Sequence, residues 1–227
     1  MTDTAAPATT VVFLLFPGIT QLDFTAPAQA LSRMPGARLV GAAANRDPIA
    51  TDSGFAILPT HDFASAPQAD ILCVPGGHGV TEALGNAETI DFIARQAAGA
   101  QWVTSVCTGA FLLGRAGLLR GKRATTHWAY THLLPLVGAA PVKARIVEDG
   151  HLVTSGGVTS GLDFALTLIA RLQGEAVAQA IQLAIEYDPA PPFAGGHPDR
   201  TPGTITEGLK ARVYDAAAAR MEAALKA

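Results

Sequence analysis

Short, nearly continuous apolar runs alternate with longer segments of helical spacing through most of the chain. The runs fall at Val11–Phe16, Arg38–Ala44, Asp70–Val74 and Trp102–Val106, with a later pair at Ala144–Val147 and His151–Thr154. Runs of this length, buried on both faces, are the mark of a mostly parallel sheet with helices on either side. Helical spacing predicts helices over Thr25–Arg33, Ala87–Ala98, Gly109–Ala116, Ser160–Leu172 and Glu175–Ile185. The pair Asp149-Gly150 predicts a type I′ hairpin joining the last two strands. Prolines through 189–203 exclude helix or central strand there, so this stretch is expected to wrap the surface. A last helix lies within 204–227, periodic over Ile205–Leu225, its alanine-rich face suited to this domain or to a partner subunit. No linker divides the chain, and the expectation is a single α/β domain over 1–227 with residues 1–10 as an N-terminal tail.

Composition narrows the function classes. Nearly half the 227 residues are hydrophobic (49%) and 15% are charged, which suits a folded core and not a disordered chain. The net charge of -3 offers no general attraction for phosphate backbones or anionic membranes, so neither nucleic acid nor membrane is an expected partner. The first ten residues lack a basic leader and the first apolar run is too short for a membrane span, so a cytoplasmic location is expected. Two cysteines, Cys73 and Cys107, are too few for a disulfide framework, and each is expected as a thiol.

The strongest local feature is the strand Trp102–Val106 running into Cys107-Thr108-Gly109 and then a helix. That is the layout of a nucleophile elbow, in which a tight strand-to-helix turn exposes one side chain and a small residue two places on avoids a clash. A helix start also favours a thiolate, so Cys107 is expected to be an activated thiol. Cys73, inside a strand, reads as packing. A second glycine-rich turn, Pro75-Gly76-Gly77-His78-Gly79, should open on the same sheet edge, where main-chain N–H groups can hold developing negative charge. Asp23 follows the first strand among Leu22, Phe24 and Pro27, where partial desolvation would raise its pKa and suit it to proton transfer. It could equally be a first-turn helix acid. His127 can be read as a dyad partner for Cys107 or as a hydrogen-bonded wall residue. His127 and His132 lack metal spacing, and no metal is expected.

Taken together, FPGITQLDFTAP, PGGHGV, SVCTGAFLLGRAGLL, GKRATTHW and TSGGVTSGLDFALTLIA resemble the PfpI-like, or class-I glutamine-amidotransferase-like, superfamily over about Val11–Pro192. The resemblance implies a flavodoxin-like sheet with the cysteine at its elbow. Within the superfamily the chain looks most like the isocyanide-hydrating branch, which implies cofactor-free addition of water to a small-molecule isocyanide, R–NC, giving an N-substituted formamide. The resemblance assigns the nucleophile to Cys107, the proton-transfer acid to Asp23, a main-chain N–H and hydroxyl to Thr108, and a further main-chain N–H to Gly77, with His78 and His127 about the substrate. Peptidase-like members carry histidine directly after the cysteine, where this chain has Thr108. Relatives acting on glyoxals or sensing oxidation carry glutamate where this chain has Asp23. The family also implies a homodimer. The competing readings are a ligand-sensing module, like those fused to AraC-type regulators, and a thiol stress sensor.

Overall fold

The computed structural model describes residues 8–227. In chain order the elements are β1 (Thr9–Leu14), α1 (Gln21–Leu31), β2 (Ala37–Ala43), β3 (Ile49–Ala50), β4 (Ala56–Ile57), β5 (His61–Asp62) and β6 (Ile71–Val74). Next come α2 (Val80–Ala83), α3 (Ala87–Gly99), β7 (Trp102–Val106), α4 (Gly109–Arg115), β8 (Arg123–Ala124), β9 (Ala140–Pro141), β10 (Ile146–Asp149) and β11 (Leu152–Ser155). The chain closes with α5 (Ser160–Gln173), α6 (Glu175–Ala184), α7 (Gly203–Leu209) and α8 (Asp215–Lys226).

Seven strands form one sheet in the order β10-β11-β7-β6-β1-β2-β5. All neighbours are parallel except β10, which pairs antiparallel with β11. The chain moves outward from β1 through β2 to β5, then returns to place β6 on the other side of β1. The order therefore reverses between β1 and β6, and the loops leaving the carboxyl ends of such strands frame a crevice. Strand alternation splits the core into two faces. Val12, Leu14, Leu72 and Val74 pack with Phe92, Phe111 and Leu112 under α3 and α4. Val11, Phe13, Ile71 and Cys73 pack with Phe164, Leu168 and Ile181 under α5 and α6.

The expected elements are present, with informative shifts. Helix α1 begins at Gln21, not Thr25, because Asp52 holds its first turn from a distant loop: it accepts from Thr20 Oγ1 (2.8 Å) and from the Gln21 N–H (3.1 Å). Asp23 consequently lies inside the first turn of α1 and not in a preceding loop. Of the two residues linking β10 and β11, only Gly150 has positive φ (68°), so the turn is not type I′, which needs it at both; this is the type II′ pattern. Thr9 and Thr10 belong to β1 and not to the N-terminal tail, and the rest of that segment up to residue 7 lies outside the described residues. The last helical stretch contains a π turn over Lys210–Tyr214 between α7 and α8. A 3-10 segment, Trp128–Val137, has no counterpart among the expected elements.

Gly109 shows how tightly the elbow is built. A Cβ there would lie 2.1 Å from the Val74 carbonyl oxygen and 2.7 Å from that of Pro75. Gly109→Ala must therefore push the start of α4 away from the end of β6, at a cost of about 3 kcal/mol or more. A fall of roughly 6–12 °C in the thermal midpoint is expected for a chain of this size, and a midpoint within about 2 °C of wild type would contradict the packing.

Candidate active site

Three turns leave the carboxyl edge of the sheet and converge. After β7, Cys107 adopts φ 56°, a left-handed conformation that costs a non-glycine residue energy and recurs at functional sites. The neighbours impose it: the Cys107 N–H is shared between the carbonyls of Ser155 (3.1 Å) and Gly156 (2.8 Å), and the Cys107 carbonyl accepts from Thr126 Oγ1 (2.7 Å). After β6, Gly76 and Gly77 pass directly beneath Thr108. A Cβ at Gly76 would stand 2.6 Å from the Thr108 nitrogen and 2.9 Å from Asp23 Oδ2. After β1, the loop 15–20 carries the chain into α1 and delivers Asp23, which is completely buried.

Asp23 Oδ2 accepts from the Gly76 N–H at 2.9 Å, while Oδ1 has no hydrogen-bond partner among the described residues. Burial pushes the carboxyl pKa up from 3.8 to about 7. The Gly76 N–H opposes that shift, the Asp52 charge adds to it, and the Cys107 thiol, near enough to stabilise the carboxylate, pulls it down slightly. The same burial, reinforced by the Asp23 charge, holds the Cys107 thiol well above the ordinary thiol range, against the Thr108 N–H and hydroxyl. This corrects the expectation of a lowered thiol pKa: the helix start is present, but dehydration and an adjacent carboxylate outweigh it. The resting site is a protonated thiol beside a carboxyl that titrates near neutrality. Cys73 is pushed up to about 12 by burial and stays a packing residue.

Thr108 follows the nucleophile and its hydroxyl is fixed by Gly77, accepting from the N–H at 3.0 Å and reaching the carbonyl at 3.3 Å. The Gly77 N–H is thus engaged by the Thr108 hydroxyl, which it positions beside Cys107. A cavity of about 380 Å³ opens over the thiol, bordered by Gly77, His78, Thr108, His127, Tyr130 and Tyr214 among others. His78 is exposed at its rim, where a larger cavity on the far side of the 75–79 turn begins. His127 is a wall residue and forms no hydrogen bond to Cys107. Its Nδ1 accepts from the Ala129 N–H (3.3 Å), which leaves the proton on Nε2, and burial lowers its pKa to about 4, so the ring is neutral at pH 7. Three residues of this site carried no readable signal in the sequence: Asp52, Tyr130 and Tyr214.

A parallel α/β sheet carrying a strained cysteine elbow and a buried acid at its switch point defines a class of cysteine-centred α/β proteins. The DJ-1/PfpI family matches residues 9–171, and the chain belongs to that family. It is 48% identical over 210 residues to the isonitrile hydratase of Pseudomonas putida, covering 92% of each chain. The crystal structure of a THiJ/PfpI family protein from Pseudomonas syringae superposes with a TM-score of 0.94 at 36% identity, over 97% of this chain and 92% of that one. A DJ-1 superfamily protein from Salmonella typhimurium, 28% identical, superposes with a TM-score of 0.70 over 80% of this chain and all of its own.

The buried carboxyl has a thermodynamic signature. Because its folded pKa, about 7, exceeds the ordinary 3.8, the folded state holds this proton more tightly than the unfolded chain. That contribution is complete below about pH 4 and is lost as pH rises to 7, amounting to about 4 kcal/mol. Denaturation of wild type and Asp23→Asn across this range should show the variant gaining on wild type as pH rises, while parallel curves would place the carboxyl in water.

Proposed function

We propose that this chain is an isocyanide (isonitrile) hydratase, a cofactor-independent lyase with Cys107 as nucleophile and Asp23 as proton carrier. The observation that carries the chemistry is the burial of Asp23 beside Cys107, which itself lines a cavity, and the 48% identity to an isonitrile hydratase supports the substrate. An isocyanide carbon accepts a nucleophile and then needs a proton at that same atom. A protonated thiol beside an ionised carboxylate supplies both. Sγ bonds to the carbon while the thiol proton passes through Asp23 to that carbon, so R–N≡C and H–S–Cys become the thioimidate R–N=CH–S–Cys with no atom lost.

Water then adds across the C=N bond. Asp23 takes one of its protons as the oxygen joins the carbon and passes it to the nitrogen, giving R–NH–CH(OH)–S–Cys and leaving the carboxylate ionised again. The C–S bond breaks, the hydroxyl proton returns through Asp23 to sulfur, and R–NH–CHO leaves. Thr108 donates its main-chain N–H toward the sulfur and the charge that develops beside it. His127, neutral and already hydrogen-bonded, serves as wall and not as base. The proposal includes one domain across the chain and a cytoplasmic homodimer that engages neither nucleic acid nor membrane. Supporting that part are the net charge of -3 and the exposed apolar side chains Leu183 and Phe193; no helix of the described residues is long and apolar enough to cross a membrane.

Formamide production by purified variants tests the assignment. Cys107→Ala should abolish turnover, and Asp23→Asn should cost about a hundredfold or more. Asp23→Glu restores the acid but displaces it by a methylene, and should remain strongly impaired because misplacement by about an ångström is costly. His127→Ala should cost less than either Asp23 change. Since attack requires ionised Asp23, kcat/KM should rise with pH through about 7, and a profile flat from about pH 5 to 8 would remove Asp23 from the proton path.

A further inference from the structure

The cavity over Cys107 has a wall that lies outside the part of the chain matched to the family. That match ends at residue 171, yet Val213, Tyr214, Ala217, Arg220 and Met221 all border the cavity. The DJ-1 superfamily chain that superposes over its whole length still leaves a fifth of this chain uncovered.

The C-terminal segment is firmly seated. Ala218 and Met221 of α8 are buried in the core shared with α3 and α4. Arg115, at the end of the helix that starts beside the nucleophile, donates to the Ala224 carbonyl. A π turn carries one residue more than an α turn, so it rotates the helix beyond it by about 100° relative to an unbroken helix. The turn Lys210–Tyr214 sets the phase between α7 and α8, and from its end Tyr214, Ala218 and Met221 follow at i, i+4 and i+7 on one helix face, so the seating of α8 on the core also brings Tyr214 to the cavity. The Tyr214 ring stands 5.0 Å from His127, 5.2 Å from Trp128 and 6.0 Å from Tyr130, centroid to centroid, completing an aromatic enclosure that the 3-10 segment alone leaves open. No hydrogen bond to its hydroxyl is formed among the described residues, so the ring's shape, not a polar network, is its contribution.

We propose that Tyr214, held at the cavity by the seating of α8, is a specificity-determining residue whose ring packs against the R group of the isocyanide. This rests on the hydratase reading and deepens it by naming the side chain that meets the R group. A ring-bearing R group offers the Tyr214 ring far more apolar surface to cover than a short alkyl group does.

Benzyl isocyanide and ethyl isocyanide separate the two. Wild type should favour benzyl in kcat/KM. Tyr214→Ala should lower the benzyl-to-ethyl ratio about tenfold or more, carried by KM, because contact with the R group is lost equally in ground and transition states. Tyr214→Phe should keep the wild-type ratio within about threefold, and Tyr214→Leu is read as Tyr214→Ala is if the alanine variant does not fold. A ratio unchanged in the alanine or leucine variant, or equal losses on both compounds, overturns the role of Tyr214 and leaves the hydratase reading standing. Failure of wild type to turn over either compound overturns the hydratase reading itself.

Discussion

A carboxyl group with no access to water is the constraint on which this site turns. Asp23 is buried among the ends of three strands, where the Gly76 N–H donates to its carboxylate. An ionised carboxylate so placed costs several kcal/mol unless it finds a proton or a partner. Its nearest acidic neighbour is the Cys107 thiol, itself too dehydrated to ionise readily. The Asp23 charge makes the thiol harder to ionise while the protonated thiol steadies the carboxylate, so together they keep one proton available between them. That is the inventory needed to add a nucleophile and a proton to a single carbon.

The surrounding structure can be understood as the frame that holds this pair in place. The reversal of strand order between β1 and β6 puts the Asp23 and Gly76 turns side by side, and β7, next to β6, brings in Cys107. Gly76 must lack a side chain because Thr108 and Asp23 occupy the space where its Cβ would sit. The Cys107 backbone is bent into positive φ and kept there by Ser155, Gly156 and Thr126. Asp52 caps the first turn of α1, which carries Asp23, and its charge further raises the Asp23 pKa. The strain at Cys107 and the desolvation of Asp23 are both offset by a close-packed sheet with a core on each face.

Much of this is legible from the residues alone. Uninterrupted apolar runs with intervening helical spacing define a parallel sheet, and the strand-cysteine-glycine sequence at 102–109 has few uses other than an elbow. Local pattern fails where distant residues decide. The start of α1 depends on Asp52, thirty-one residues from Gln21. The Gly77 N–H is taken by a hydroxyl on another turn. The thiol pKa is set by burial and by Asp23, not by the helix start visible in the sequence. Tyr214 lies in a segment that reads as an ordinary alanine-rich helix, whose many small residues blur the phase shift that the π turn introduces.

The claim that a covalent bond forms at Cys107, with the proton retained, is tested most directly by peptide mass spectrometry on protein quenched during turnover of an isocyanide. The account predicts a Cys107 peptide heavier by the full mass of the isocyanide, with Cys73 unmodified. Formamide accumulating with no adduct at Cys107, and continuing to form in Cys107→Ala, would contradict it.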